Sequence, residues 1–164
     1  MRFPEMAGNY IVWHDYRNGN YDIYMYDIST GQEIQITTDA SHQYYPAISG
    51  NRIVWQDYRN GNADIYIYDI STGIETQITT DASSQSYPAI SGNRIVWQDY
   101  RNGNWDIYMY DISISTGIET QITTNTQSQS YPAISGNRIV WHDYRNGRNN
   151  PDIYMYDIST GIET

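Results

Sequence analysis

Hydrophobic and polar positions alternate over short stretches of this chain, and the same alternation keeps returning. In NRIVWQDY (residues 51–58), Ile53 and Trp55 fall on one face of an extended chain, and Arg52, Val54 and Gln56 on the other. In DIYIYDI (residues 64–70), Tyr66 and Tyr68 share a face and Ile65 and Ile67 its opposite. A period of two in β-branched and aromatic residues predicts strands, because a helix would scatter these side chains around its axis. Between the two stretches lies Arg59-Asn60-Gly61-Asn62, whose Asn-Gly tolerates the positive φ of a tight hairpin. Ser71-Thr72-Gly73 turns into a third strand around Glu75 to Thr80. Tyr45-Pro46-Ala47-Ile48-Ser49 supplies a short first strand, with its proline near the start where a missing N–H is tolerated, and ends at Gly50-Asn51. Each such stretch predicts a four-stranded antiparallel meander.

The meander is written four times, over about residues 3–44, 45–86, 87–130 and 131–164. Its tryptophans, Trp13, Trp55, Trp97 and Trp141, recur at intervals of 42, 42 and 44 residues, the period of propeller blades or solenoid units. A small sheet with apolar residues on both faces needs cover on each, and neighbouring copies are the natural cover. Radial stacking of such sheets gives a β-propeller. The expectation is therefore an all-β chain, residues 1–164 forming a single propeller domain or arc of four-stranded blades. Strands should lie near residues 10–16, 22–28 and 33–38 and at the equivalent places in later copies. Copy one starts divergently, with Phe3-Pro4-Glu5-Met6-Ala7. Copy three carries Trp105 where copy two has Ala63, and adds Ile114-Ser115; copy four lengthens its hairpin turn over residues 145–151.

The succession of Pro, strand, Gly-Asn-Arg-Ile-Val-Trp, Arg-Asn-Gly-Asn, Asp-Ile-Tyr, Ser-Thr-Gly and Gln-Ile-Thr-Thr resembles the TolB-like, or WD40-like PD40, repeat along the whole chain. Its most specific part is Asp-Ile-Tyr, at Asp22, Asp64, Asp106 and Asp152. The near-identity of the copies is similar to repeat arrays of archaeal and bacterial cell-surface proteins. Where the family usually has Ser-Pro-Asp-Gly after the first strand, this chain has Ser49-Gly50-Asn51. The resemblance implies a propeller scaffold or protein-binding module at the cell surface, in the periplasm or outside the cell.

Charge narrows the partners. Nine basic residues, all arginine, face nineteen acids, for a net charge of −10. Nucleic-acid binding needs Lys and Arg to neutralise phosphates, so no nucleic-acid partner is expected, and anionic membranes are disfavoured for the same reason. No run of eighteen apolar residues predicts a membrane span, and MRFPEMAGN lacks the apolar core of a signal peptide. The chain has no cysteine, which removes disulfides and thiol chemistry.

Candidate chemistry lies in four places. The turn Asp57-Tyr58-Arg59-Asn60-Gly61-Asn62-Ala63-Asp64 has the acidity of a calcium loop, but a cation at the third position and a glycine at the fifth stand where ligands are needed. A hairpin with Arg paired to a neighbouring Asp is the better reading. His14 and His142 stand where copies two and three have Gln56 and Gln98, and His42 sits in another loop, so polar strand positions are expected rather than a metal site. The tyrosine pairs, such as Tyr66 and Tyr68, are expected to pack between blades, although exposed stripes of this kind bind sugars. Finally, the loops returning to each new first strand vary between copies. Asp39, His42, Gln43, Asp81, Ser84, Gln85, Asn125, Gln127 and Gln129 are the candidate ligand-facing positions.

No Gly-x-Ser-x-Gly elbow and no Ser-x-Asp-x-Gly-x-x-Trp box occurs. Near-identical copies repeat the same residues instead of bringing distinct roles to one place, which favours scaffolding or binding over catalysis. The expected function is a non-enzymatic protein-binding or structural propeller without cofactor. The alternatives are a glycan-binding lectin and a propeller glycosidase or esterase. The chain ends suggest head-to-tail closure of two copies into an eight-blade homodimeric ring, against a fragment of a larger array or a small four-blade ring.

Overall fold

A computed structural model describes residues 4–114, 117–147 and 150–164. Phe3, Ser115, Arg148 and Asn149, which the sequence reading placed in the first strand, the insertion and the lengthened turn, lie outside the described residues. The described chain is all-β and forms four antiparallel meanders of four strands. It divides into two compact units, Met1–Ala82 and Ser83–Thr164.

The first unit holds two sheets. One is β1 (Glu5–Ala7), β2 (Tyr10–Asp15), β3 (Asp22–Asp27) and β4 (Gln32–Gln35); the other is β5 (Gln43–Ser49), β6 (Arg52–Asp57), β7 (Asp64–Asp69) and β8 (Ile74–Gln77). Val12, Ile23 and Met25 of the first sheet pack on Ile53, Trp55 and Tyr66 of the second. The Val/Ile face of one blade thus meets the Trp/Tyr face of the next, as radial stacking requires. Ile53, Val54 and Trp55 are all fully buried, so β6 is covered on both faces. Its alternation separates two kinds of interior, not interior from solvent.

The second unit repeats the arrangement. Its sheets are β9 (Gln85–Ser91), β10 (Arg94–Asp99), β11 (Asp106–Asp111) and β12 (Glu119–Gln121), then β13 (Gln129–Ser135), β14 (Arg138–Asp143), β15 (Asp152–Asp157) and β16 (Ile162–Glu163). Val96 and Ile107 pack on Ile139 and Trp141, with Tyr154 and Tyr156 at the margin. The tyrosine pair of this blade lies between sheets, as expected from its spacing.

Two boundaries differ from the sequence reading. The last strand of the second meander, expected to reach Thr80, ends at Gln77. Beyond it the Ile78 and Thr79 amides both donate to the Ile65 carbonyl, while the Ile65 N–H donates to Thr79 Oγ1 at 2.8 Å. The threonine hydroxyl replaces a ladder acceptor and the chain turns away. The first strand begins earlier than expected, at Gln43, Gln85 and Gln129, so its proline sits inside the strand. There the register slips between Tyr44 and Ala47, Gln98 and Val96, and Ser130 and Ala133, a β-bulge that absorbs the proline's missing donor.

Candidate binding surface at the hairpin end

The hairpin joining the second and third strands of each blade is built around its arginine. Arg59 donates to Asp57 at 2.6 Å and to Glu75 at 2.6 Å, and its guanidinium lies 4.3 Å above the Tyr66 ring. Tyr66 stacks in turn on Trp55, whose indole N–H donates to Asp57 at 2.9 Å. The same stack recurs with Arg101, Tyr108, Trp97 and Asp99, and with Arg145, Tyr154, Trp141 and Asp143. Burial would raise the Asp143 carboxyl, but hydrogen bonds from Arg145 and Trp141 outweigh it and hold the pKa below the ordinary value. The Arg-to-Asp pairing expected at the calcium-like turn is present in the structure.

The second aspartate of the turn is held differently. Asp64 is buried and accepts from Asn60 at 2.8 Å and Asn62 at 3.0 Å. Burial pushes its carboxyl up and the amide donors pull against that shift; Asp22 and Asp106 behave alike. Amides thus occupy the carboxylate oxygens that a calcium reading would have turned to a cation. Among the described residues no group of three or more His, Cys, Asp or Glu converges as a metal site would.

The second turn asparagine brings the hairpin and the variable loop to one end of the blade. Asn20 Nδ2 donates to the carbonyls of Asp39 and Ser41, each at 2.9 Å, and Asn104 Nδ2 to that of Asn125 at 3.2 Å. Asn62 Nδ2 donates to the Asp81 carbonyl at 3.2 Å. The Ser84 carbonyl accepts from the Tyr100 amide at 3.0 Å.

Within these loops the candidate positions part company. Asp39 caps its own turn, accepting the Ser41 amide at 2.8 Å, and Asn125 does the same for Gln127 at 2.9 Å. His42 accepts the Tyr21 N–H on Nδ1 at 3.1 Å. Gln43, Gln85 and Gln129, expected to face a ligand, are instead fully buried at the start of the first strand. Their side-chain amides donate to the carbonyls of Ser41, Ser83 and Gln127, and so fasten the loop from beneath.

The sequence reading missed the aromatic side chains of this end. In the first unit His14, Tyr16, Tyr21, His42, Tyr44 and Tyr58 form one ring-contact network. In the second unit Tyr100, Trp105, Tyr131 and Tyr144, with Gln98 and Ser130, line a cup of about 470 Å³ with no charged residue in its wall. Tyr131 reaches the cup from the β-bulge at a φ of 56°, which for a non-glycine residue costs roughly 1–2 kcal/mol. Its N–H donates to Gln98 Oε1 at 3.0 Å, a bond from one blade to the next within the unit. The single signal in the sequence was Trp105, the large residue standing where copy two has Ala63.

The PD40 family, described as the TolB beta propeller domain, matches residues 4–164. No curated protein matches the chain in sequence. Among solved structures, TolB from Acinetobacter baumannii superposes with a TM-score of 0.79 at 24% identity, over 98% of this chain and 42% of that one. A TolB structure from Agrobacterium tumefaciens gives 0.78 at 22% identity, over 96% of this chain and 60% of that one. A puromycin hydrolase gives 0.78 at 12% identity, over 98% of this chain but 27% of that one. This chain thus spans less than two thirds of the length of these two TolB chains, and at these identities the likeness is one of fold. Repeat, meander and family match agree: the chain belongs to the TolB β-propeller family.

Proposed function

We propose that this chain is a non-enzymatic propeller module that binds a protein partner through the hairpin end of its blades. One observation carries the reading. Tyr16 and Tyr58 in the first unit, and Tyr100 and Tyr131 in the second, keep 40–53% of their surface exposed at the hairpin ends of their own blades, beside loops already tied down by asparagine side chains. Tyrosine on a rigid support gives large contact area at low entropic cost, and exposed aromatic clusters of this kind mark interaction surfaces. The carboxylates nearest this end support a binding role over catalysis. Asp57 and Asp99 are locked to arginine and indole donors, and Asp64 and Asp106 to amides, which leaves them poorly placed to act as acid and base. Family membership supports a place at the cell surface, in the periplasm or outside the cell.

Selection from a displayed peptide library, run beside a glycan array, tests the proposal. Enrichment of peptides whose binding is lost in Tyr100→Ser is the expected result. Glycan hits without any peptide enrichment, or turnover of glycoside or ester substrates that survives repurification, would overturn it.

A further inference from the structure

The two units carry the same end, but one is filled and the other open. Aligning the repeats places Tyr16, Tyr21, His42, Tyr44, Tyr45 and Tyr58 of the first unit at the positions of Tyr100, Trp105, Ser128, Ser130, Tyr131 and Tyr144 in the second. Four of these pairs are aromatic in both units. The other two are Tyr44 against Ser130 and His42 against Ser128.

In the first unit the Tyr44 ring lies 4.9 Å from Tyr21, 5.9 Å from Tyr58 and 5.8 Å from His14, centroid to centroid. The His42 ring sits 5.6 Å from Tyr44. The protein thus shows what fits among these walls: a phenol ring with an imidazole beside it. In the second unit serine replaces both, the walls remain, and the cup of about 470 Å³ is the space left. Register confirms that the position is the same, since Tyr44 pairs with Gln56 on the neighbouring strand and Ser130 with His142.

The cup is also built rather than incidental. Tyr131 takes the positive φ that Tyr45 and Tyr87 share at the bulges of their blades, and its N–H is fixed by Gln98. Tyr100 and Trp105 lie 5.1 Å apart in a tilted pair in its wall. The volume falls in the range of small-molecule sites. The neutral lining, with the Ser128 and Ser130 hydroxyls and the Gln127 amide, suits a polar but uncharged ring substituent.

We infer that this cup takes an aromatic side chain of a protein partner, a tyrosine by preference, seated where Tyr44 sits in the first unit. The inference rests on the protein-binding reading above and names its anchor. Rings meeting at tilted and edge-on angles reproduce the contacts that Tyr44 makes. An aromatic anchor in a preformed pocket is the usual centre of a protein interface.

The probe is N-acetyltyrosinamide, followed by the Trp105 indole resonance, with N-acetylleucinamide and a methyl glucoside as parallel titrations. A saturating shift with half-saturation on the order of 1 mM is expected for the tyrosine amide alone. Ser130→Tyr should fill the cup and weaken binding at least about tenfold, the loss expected when the site is occupied from within. The indole resonances of the buried Trp97 and Trp141 report whether that variant remains folded. Changing both His42→Ser and Tyr44→Ser should open an equivalent cup and add a second site, read on the Tyr21 ring resonances, which keeps the test decisive should Ser130→Tyr fail to fold. Unchanged binding in Ser130→Tyr, no second site when both His42→Ser and Tyr44→Ser are made, or a shift produced by the glucoside instead would each overturn the inference. If library-selected peptides bind Ser130→Tyr as well as the parent, the cup loses its role while the protein-binding reading stands.

Discussion

Gln98 Oε1 accepts the backbone N–H of Tyr131 at 3.0 Å, so a side chain of β10 fixes the bulge of β13 in the neighbouring blade. That bond satisfies a donor that the strained backbone takes out of the ladder. Gln98→Leu should cost about 1 kcal/mol, the usual net value of one hydrogen bond, and should broaden the Tyr131 resonances. Gln98→His should be nearly neutral, because His14 holds the equivalent position with its ring 5.9 Å from Tyr45. Thermal melts of the two variants decide it: no loss in Gln98→Leu would show that the bond carries no weight.

The arginine stack predicts unequal ion pairs. Asp99 is fully buried and is held by Arg101 and the Trp97 indole, so Arg101→Ala strands a buried charge and should cost about 3–5 kcal/mol. Arg52 and Asp69 meet at 3.8 Å with about a third of each side chain exposed, and Arg52→Ala should cost under about 1 kcal/mol. Urea denaturation of both variants would contradict this account if the two losses came out alike.

The aspartates should titrate in two classes. Asp27, Asp69, Asp111 and Asp157 have lowered pKa values, led by the hydroxyl of the serine two residues on. Their contribution to stability is present above the ordinary carboxylate range and is lost as pH falls through the lowered values. Asp22, Asp64 and Asp106 are raised, led by burial. Their contribution is present at low pH and is lost as pH rises through the raised values. Carbon-13 NMR of the carboxyls should show the two classes on either side of pH ~3.9, the ordinary aspartate value. Ser71→Ala should return Asp69 toward it, and an unmoved Asp69 would remove the hydroxyl as the cause.

Tryptophan accessibility follows from the stacking of sheets. Trp55, Trp97 and Trp141 are at most 1% exposed, whereas Trp13 and Trp105 are half-buried. Acrylamide should therefore quench a fraction of the emission and leave a protected remainder, and Trp105→Phe should reduce the quenchable part. Trp141→Ala, which empties the core of the second unit, should cost on the order of 3–5 kcal/mol. Uniform quenching of all the tryptophans would rule out this packing.

By itself the sequence determined the elements and their order. Period-two alternation, Asn60-Gly61 and Ser71-Thr72-Gly73 are local signals, and a repeated meander with apolar residues on both faces calls for sheet-on-sheet cover, which each unit shows between its two sheets. It also showed that Arg59 was better suited to pair with an aspartate than to stand among calcium ligands, since a cation at that position is legible without coordinates. Tertiary structure decided the site. Gln43, Gln85 and Gln129 look like loop residues in the chain but are interior, because the carbonyls they satisfy are positioned only once the loop folds back over them. The Tyr131 N–H freed at the bulge is satisfied by Gln98, thirty-three residues away on another sheet. The cup depends on Tyr100, Trp105, Tyr131 and Tyr144 meeting from two blades while Ser130 leaves the centre open. A serine aligned with a tyrosine reads as loop variation along the chain, and becomes a cavity only when the surrounding walls are held apart by strands that cannot collapse onto it.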